Sequence, residues 1–398
     1  MEKAIINVGI NSGDLTGNTE FAIQAAIDYI SFLGGGTVKI SEGVFTINSA
    51  LHMRSNVILE GSGDKTVLVK ADEMSSPILA DADLHESKIT VKNPELFKPG
   101  MTVTVRKTNG RHEGFSDTVA VITGKKDNVL YFDRAMLITK SLADGIEAAT
   151  AFPVISAYDC KDIAIKNLKV EGNKENNSST NGCMHAGIYF FQTENALIED
   201  VKVFNYNGDG ISYQNSKNID VIKCVCHQNA SLGVHPGSGT TGTRIIDSIF
   251  TENGGDGIFF CWRVTQGLVD NCYSAKNRMS GFSIGHKDIN NIIRNSRFEE
   301  NNYYGMFFRL ENDPMGANFN TVENNIFKDN GIPGSAYGTA GVRLRGTTNN
   351  VKFINNKIIY EKYPEANTVG FIFEEGTHSI TLEGTEFIGC KQEQSSKY

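Results

Sequence analysis

Between His235 and Arg345 the sequence concentrates side chains that could do chemistry together: His235, Cys261, Trp262, Arg263, His286, Lys287, Asp288, Arg309, Glu311, Arg343 and Arg345. Such a mainly cationic set suits an anionic substrate. Arg263 or Arg309 would neutralise a substrate carboxylate and acidify the neighbouring C–H, and a neutral His or Lys would take the proton. His286 precedes Lys287, whose charge lowers an imidazole pKa and favours the neutral base. His235 is followed by Pro236 and the flexible GSGTTG stretch; a surface histidine without a role would look the same. The residues assigned to catalysis are His235, His286, Lys287 and Arg309. Those assigned to substrate contact are Trp262, whose flat face can stack on a ring, with Arg263, Asp256, Asp288, Glu311 and Arg343; His185 and Tyr189 would add contacts at most. The competing chemistry needs two carboxyl groups, for which Asp209 and Asp256 are candidates, with Asp288, Glu311 and Asp313 as further acids. Asp-Gly is also a turn dipeptide in which the carboxylate satisfies local backbone donors.

These residues come together only if something folds the chain back at regular intervals. A Gly followed by alternating apolar residues recurs at 187, 210, 233, 257, 281, 305, 341 and 370, at spacings of 23, 23, 24, 24, 24, 36 and 29. No single copy can bury its own apolar face, so the copies must stack. The leucine-rich repeat is the alternative at this period, and its Leu and Asn pattern is absent. The expected fold is therefore all-β, a right-handed parallel β-helix. Positions one and three after each Gly face inward and position two outward. Asn229, Asn253, Asn277 and Asn301 precede their Gly by four residues and predict a stacked amide ladder, at a turn where Asn tolerates a left-handed backbone. Cys224 and Cys272 alternate with Ser248 and Ser296 in one column, ahead of Cys226, Phe250, Ser274 and Phe298; these cysteines read as core filler.

Coils about 4.8 Å apart turn sequence separation into adjacency. Trp262 and His286 then share a column, and Cys261 and Arg309 bracket Gly285 in another. Gly237 and Gly285 would leave a shallow depression. Arg263 and Lys287 also coincide, and opposed like charges need compensation, either by a bound anion or by an internal ladder with Glu311 and Asp288. Asp209 and Asp256, two coils apart, would be separated by roughly 9.6 Å.

The remaining sequence sets the boundaries. NTEFAIQAAIDYI places Phe21, Ile23, Ala26 and Ile30 on one side of a helix that would cap the open end of the core, within a first unit of residues 1–86. Residues 87–141 break the coil pattern and read as a small inserted β-module projecting from the N-terminal coils. Coils resume over 142–390, with insertions near 312–318 and 331–339, and the polar tail 391–398 is expected to fray. GNKENNSSTNGCMH reads as a solvated loop, the alternative being a cover for one end of a groove. The net charge of −8 disfavours nucleic acid, and the sequence has no apolar run long enough to span a membrane. Residues 1–7 lack the pattern of a secretory signal, which fits a cytoplasmic protein or a mature secreted form. Seven cysteines without paired ligand spacing indicate neither a disulfide framework nor a zinc site.

The entry NTEFAIQAAIDYISFLGGGTVKISEGVFTI, then SNVILEGSG and the coils, resembles the pectate-lyase-like superfamily of right-handed β-helix proteins over most of the chain. The resemblance implies a polysaccharide or oligosaccharide partner lying along an outward sheet face. Activity signatures of that superfamily do not carry over. The mannuronan C5-epimerase has an Asp-Pro-His run, where VHPGSG here puts His235 at the Asp and Gly237 at the His; the Asp of its next coil falls on Cys261. The Asp-Asp and Arg-Ile-Lys motifs of polygalacturonases are absent. The expected activity is a polysaccharide lyase acting on a uronate-containing glycan by β-elimination. The alternatives are a glycoside hydrolase with an Asp/Glu pair and a non-catalytic carbohydrate-binding or tailspike-like helix. No cofactor is expected; the resemblance leaves calcium open, but the cluster is mainly basic and such a site needs converging acidic oxygens.

Overall fold

The structure, a computed structural model, describes residues 4–108 and 116–397; residues 1–3, part of the stretch read for a signal, lie outside the described residues. Two parallel sheets, of 22 and 11 short strands, wind around one apolar column, and a 6-stranded antiparallel sheet is set beside them. Ile188, Ile211, Val234, Ile258, Phe282 and Met306, each one place after its Gly, are fully buried, as alternation requires.

The Gly and Asn periodicities are two halves of one device. Asn229, Asn253 and Asn277 each donate an amide N–H to the carbonyl oxygen of the next Asn, at 3.1, 3.0 and 2.9 Å, and Asn301 extends the ladder to Asn330 at 3.0 Å. Each amide stands over the Gly of the previous coil. A Cβ on Gly257 would lie 2.7 Å from Asn277 Nδ2 and 3.0 Å from Gly281 O, and would overlap Ser274 Oγ. The Gly is thus required by close approach of the next coil. Gly257→Ala is expected to cost about 2 kcal/mol by overpacking, read as a lower denaturant midpoint. The left-handed backbone expected at the ladder falls one residue earlier, on Gln228, Glu252, Lys276 and Glu300, at φ 56, 57, 57 and 51°. The Asn itself points inward to bond and leaves the turn to its exposed neighbour.

A helix, Glu20–Phe32, closes the N-terminal end with Ile23, Ala26, Ile27 and Ile30 buried at helical spacing. Phe21, expected on that face, is 71% exposed, and Ile27 takes its place. The antiparallel sheet runs from Ser75–Pro77 to Ile146–Ala149, so the 87–141 stretch is its central part, and it has its own core around Val103, Val105, Ile122 and Leu130. It lies across the first rungs of the 11-stranded sheet instead of projecting. Thr102 Oγ1 is 3.0 Å from His52 Nε2, and Thr104 Oγ1 is 2.8 Å from His185 Nε2. The tail expected to fray pairs over Gln392–Lys397 as the last strand of the 11-stranded sheet, because backbone pairing with Thr368–Glu374 does not depend on apolar side chains.

Candidate active site

The outward column two places after each Gly runs Ser212 to His235, Phe259 to Ser283 to Phe307, then Arg343. That is the register read from the repeat. What the repeat does not show is that part of this face is covered.

His235 occupies an outward position yet is only 3% exposed. Residues 173–185 cross over it as a packed cover, contrary to the solvated loop expected. Arg106 of the antiparallel sheet bonds Ser178 Oγ at 2.9 Å, Thr180 N donates to Asn207 O at 2.9 Å, and Ser212 Oγ donates to Gly182 O at 2.6 Å. His235 Nδ1 bonds Asp209 Oδ2 at 2.8 Å. Burial alone would lower the imidazole pKa; the hydrogen bond to Asp209 and the neighbouring thiol of Cys261 outweigh it and raise it to about 9. The group is therefore a buried cation at neutral pH, a poor general base. Its folded pKa lies above the unfolded value, so its stabilisation is complete below about pH 6.5 and lost as pH rises through about 9. The buried Lys70, lowered by desolvation to about 7, titrates over the same range with opposite sign. The test is therefore a difference: the stability gap between wild type and His235→Gln should shrink by on the order of 3 kcal/mol between pH 6 and pH 10.

His286 has the opposite setting. It is half-buried at the end of its strand, with Nδ1 against the Glu311 carboxylate. No hydrogen-bond partner for Nε2 is found among the described residues. Burial and then the charge of Arg309 lower its pKa, so it is neutral at pH 7. The Trp262 ring, 39% exposed, packs 5.1 Å from the imidazole, and the Arg263 guanidinium lies 5.9 Å from that ring. Arg263 and Lys287 are exposed, and neither makes an ion pair among the described residues. The internal ladder with Glu311 is thus not formed, because Glu311 faces His286.

This corner is backbone-strained. Trp262 and Arg263 have φ of 60 and 66°, His286 and Lys287 of 42 and 64°. One coil earlier the same left-handed pair is Ser238 and Gly239, of which the glycine adopts it without a Cβ clash. Bulky side chains in this conformation cost roughly 1–2 kcal/mol each and concentrate at functional sites.

The other assigned residues are held internally. Arg309 folds back over Gly285, bonding Ser283 Oγ at 3.0 Å, Phe260 O at 2.6 Å and Asp288 Oδ2 at 3.3 Å, with its Cζ 4.2 Å from the centre of the Phe259 ring. Asp288 is fully buried and accepts from Val264 N and Gly285 N at 2.8 and 2.9 Å; burial raises its pKa to about 6. Asp256 accepts Ser280 N at 2.6 Å and is likewise raised by burial to about 6, while Asp209 accepts Leu232 N at 3.0 Å. Both aspartates bind backbone of the following coil, the turn role read from Asp-Gly. Arg343 pairs with Glu374 and bonds Tyr304 Oη at 2.5 Å, so neither Arg309 nor Arg343 presents an unpaired charge to substrate. Asp209 as the partner of His235 and Glu374 as the partner of Arg343 were not drawn from sequence, because the register sets Ser212 beside His235 and Ile372 beside Arg343 and each side chain reaches across to a different offset.

A cavity of about 920 Å³ lies near the helix start, between Phe21, His52, Met74 and the turn Lys98 to Met101, away from the cationic cluster. Among the described residues no helix is long and apolar enough to cross a membrane, and no group of His, Cys, Asp or Glu is spaced to hold a metal.

The chain matches the family described as right handed beta helix region over residues 153–312, 186–358 and 264–387. No curated protein matches it. Among solved structures it is similar to the A-module of the Azotobacter vinelandii mannuronan C-5 epimerase AlgE4, at 16% identity and TM-score 0.64, covering 98% of this chain and 99% of that one. The AlgE6 A-module of the same organism matches at 16% identity and TM-score 0.60, covering 95% and 92%. ORF18 of Geobacillus virus E2 matches at 13% and 0.55, covering 98% of this chain and 61% of that one. At these identities the likeness is one of fold.

Proposed function

From the premise that the chain belongs to the right-handed β-helix family, we propose that it is a polysaccharide lyase acting on a uronate-containing glycan at the Trp262–His286 corner. The observation that carries the reading is the strained pair of dipeptides, Trp262-Arg263 beneath His286-Lys287, at positions where the preceding coil uses Ser and Gly. Trp262 offers a sugar a stacking face. The exposed Arg263 and Lys287 pair with the uronate carboxylate, which neutralises its charge and acidifies the adjacent C5–H. Glu311 lies against Nδ1 of His286, and Nε2 takes the C5 proton. The C5 electron pair forms the C4–C5 double bond as the C4–O bond breaks, and the departing oxygen takes a proton. Two fold relatives are named for mannuronan, a polymer of this substrate class. The hydrolase alternative is weakened because Asp209, Asp256 and Asp288 are buried and already bonded to backbone.

The pH dependence separates the two histidines. With His286 as base, elimination rises with pH along a limb below 6.5 and is level by neutral pH, since its pKa is lowered. With His235 as base the limb would sit near 9. The initial rate of unsaturated-uronate formation on acidic polysaccharides across this range reads the difference, and a limb near 9 would reject His286.

A further inference from the structure

His235 and Asp209 are left without a role by that reaction, and they do not stand alone. Cys261 bridges Gly237 on one side and, two residues beyond the Phe259–Ser283 pair, aligns with Gly285 on the other. Neither Gly has a side chain to cover the thiol, and other groups fold over these glycines. A Cβ on Gly237 would lie 2.7 Å from Gln214 Nε2, and one on Gly285 would lie 2.9 Å from Arg309 Nε. The thiol is thus bordered by an amide, a guanidinium and the imidazole of His235. Two polar atoms there are buried with no hydrogen-bond partner among the described residues, His235 Nε2 and Gln214 Oε1, although a buried polar atom ordinarily finds one. Asp209 fixes Nδ1 of the imidazole and so leaves Nε2 as the free nitrogen. The loop backbone at Gly182 sits against the dyad, since a Cβ there would lie 2.8 Å from His235 Nδ1. Cys261 is 9% exposed, so only a small group reaches it.

We propose that Cys261 is a nucleophile, His235 its acid–base partner and Asp209 the residue that positions the imidazole, together forming a second site that hydrolyses small acyl esters. With the proton of the pair held on His235 Nε2, the Cys261 sulfur bonds the ester carbonyl carbon. The C–O bond breaks and the departing alkoxide takes the proton from His235, leaving a thioester. Water then adds to that carbonyl, its proton passing to His235; the C–S bond breaks, the carboxylic acid leaves and the thiol is restored. The arrangement generalises nucleophile, base and orienting carboxylate and does not depend on glycan elimination.

The test incubates the full chain at pH 7 with p-nitrophenyl acetate or iodoacetamide and locates the label by peptide mass spectrometry. Cys261 should react at least about tenfold faster than the partly exposed Cys183 and Cys390, nitrophenol should continue to be released after one equivalent, and Cys261→Ser should lose that release by at least about a hundredfold. Labelling of Cys183 or Cys390 with Cys261 untouched would overturn the proposal, as would an acetyl group that accumulates on Cys261 without turnover, or unchanged hydrolysis in Cys261→Ser. The labelling pattern of the wild-type chain decides without any variant having to fold, and a covalent mass on Cys261 reads this site separately from the lyase reaction.

Discussion

His286→Asn is expected to lower elimination on a uronate-containing polysaccharide by at least about a hundredfold while lowering the unfolding free energy by no more than about 0.5 kcal/mol. Asn is the informative replacement. The backbone at His286 is left-handed, φ 42°, a conformation Asn accepts at lower cost than Ala, so loss of activity cannot be ascribed to relaxation of the turn. Removing the imidazole removes the ring nitrogen that takes the proton, and the cations Lys287 and Arg263 do not replace it. Activity within about threefold of wild type would end the assignment of His286 as the base.

Asp209→Ala is expected to act on stability instead. It strips the partner from a fully buried imidazolium and the acceptor from Leu232 N. Breaking a buried pair from one side costs about 3–5 kcal/mol. The loss should be largest near pH 6 and shrink as pH rises and the orphaned imidazole becomes neutral. Denaturant midpoints at a series of pH values measure it. A loss below about 1 kcal/mol at pH 6 would mean that the pair contributes little beneath its cover.

The periodic part of the molecule was legible in the sequence because each column repeats one physical requirement. Gly makes room for the next coil, Asn bonds along the axis, and the apolar residues one and three places on fill the core. The register followed, and with it the adjacency of Trp262 and His286, which the structure places 5.1 Å apart. What the repeat could not show is what covers it. The loop over His235 and the sheet over the first rungs come from segments with no periodicity, so an outward position was read as an open one. Arg309 and Arg343 were read as available cations for a related reason: each folds onto an acid, Asp288 or Glu374, that the column count places on a neighbouring turn or coil. Glu311 was expected beside Lys287 and instead turns to His286, because the chain leaves the regular strand after Phe308 and the coil register no longer governs it.

In the proposed reaction the Trp262–His286 corner removes a proton from a bound uronate. The most direct measurement follows ultraviolet absorbance and reducing ends together on a panel of acidic and neutral polysaccharides. Absorbance from unsaturated uronate is expected on an acidic member of the panel and is abolished in His286→Asn. Reducing ends without absorbance would contradict that reaction and return the carboxylates to consideration, and neither signal on any substrate would contradict catalysis at this face altogether.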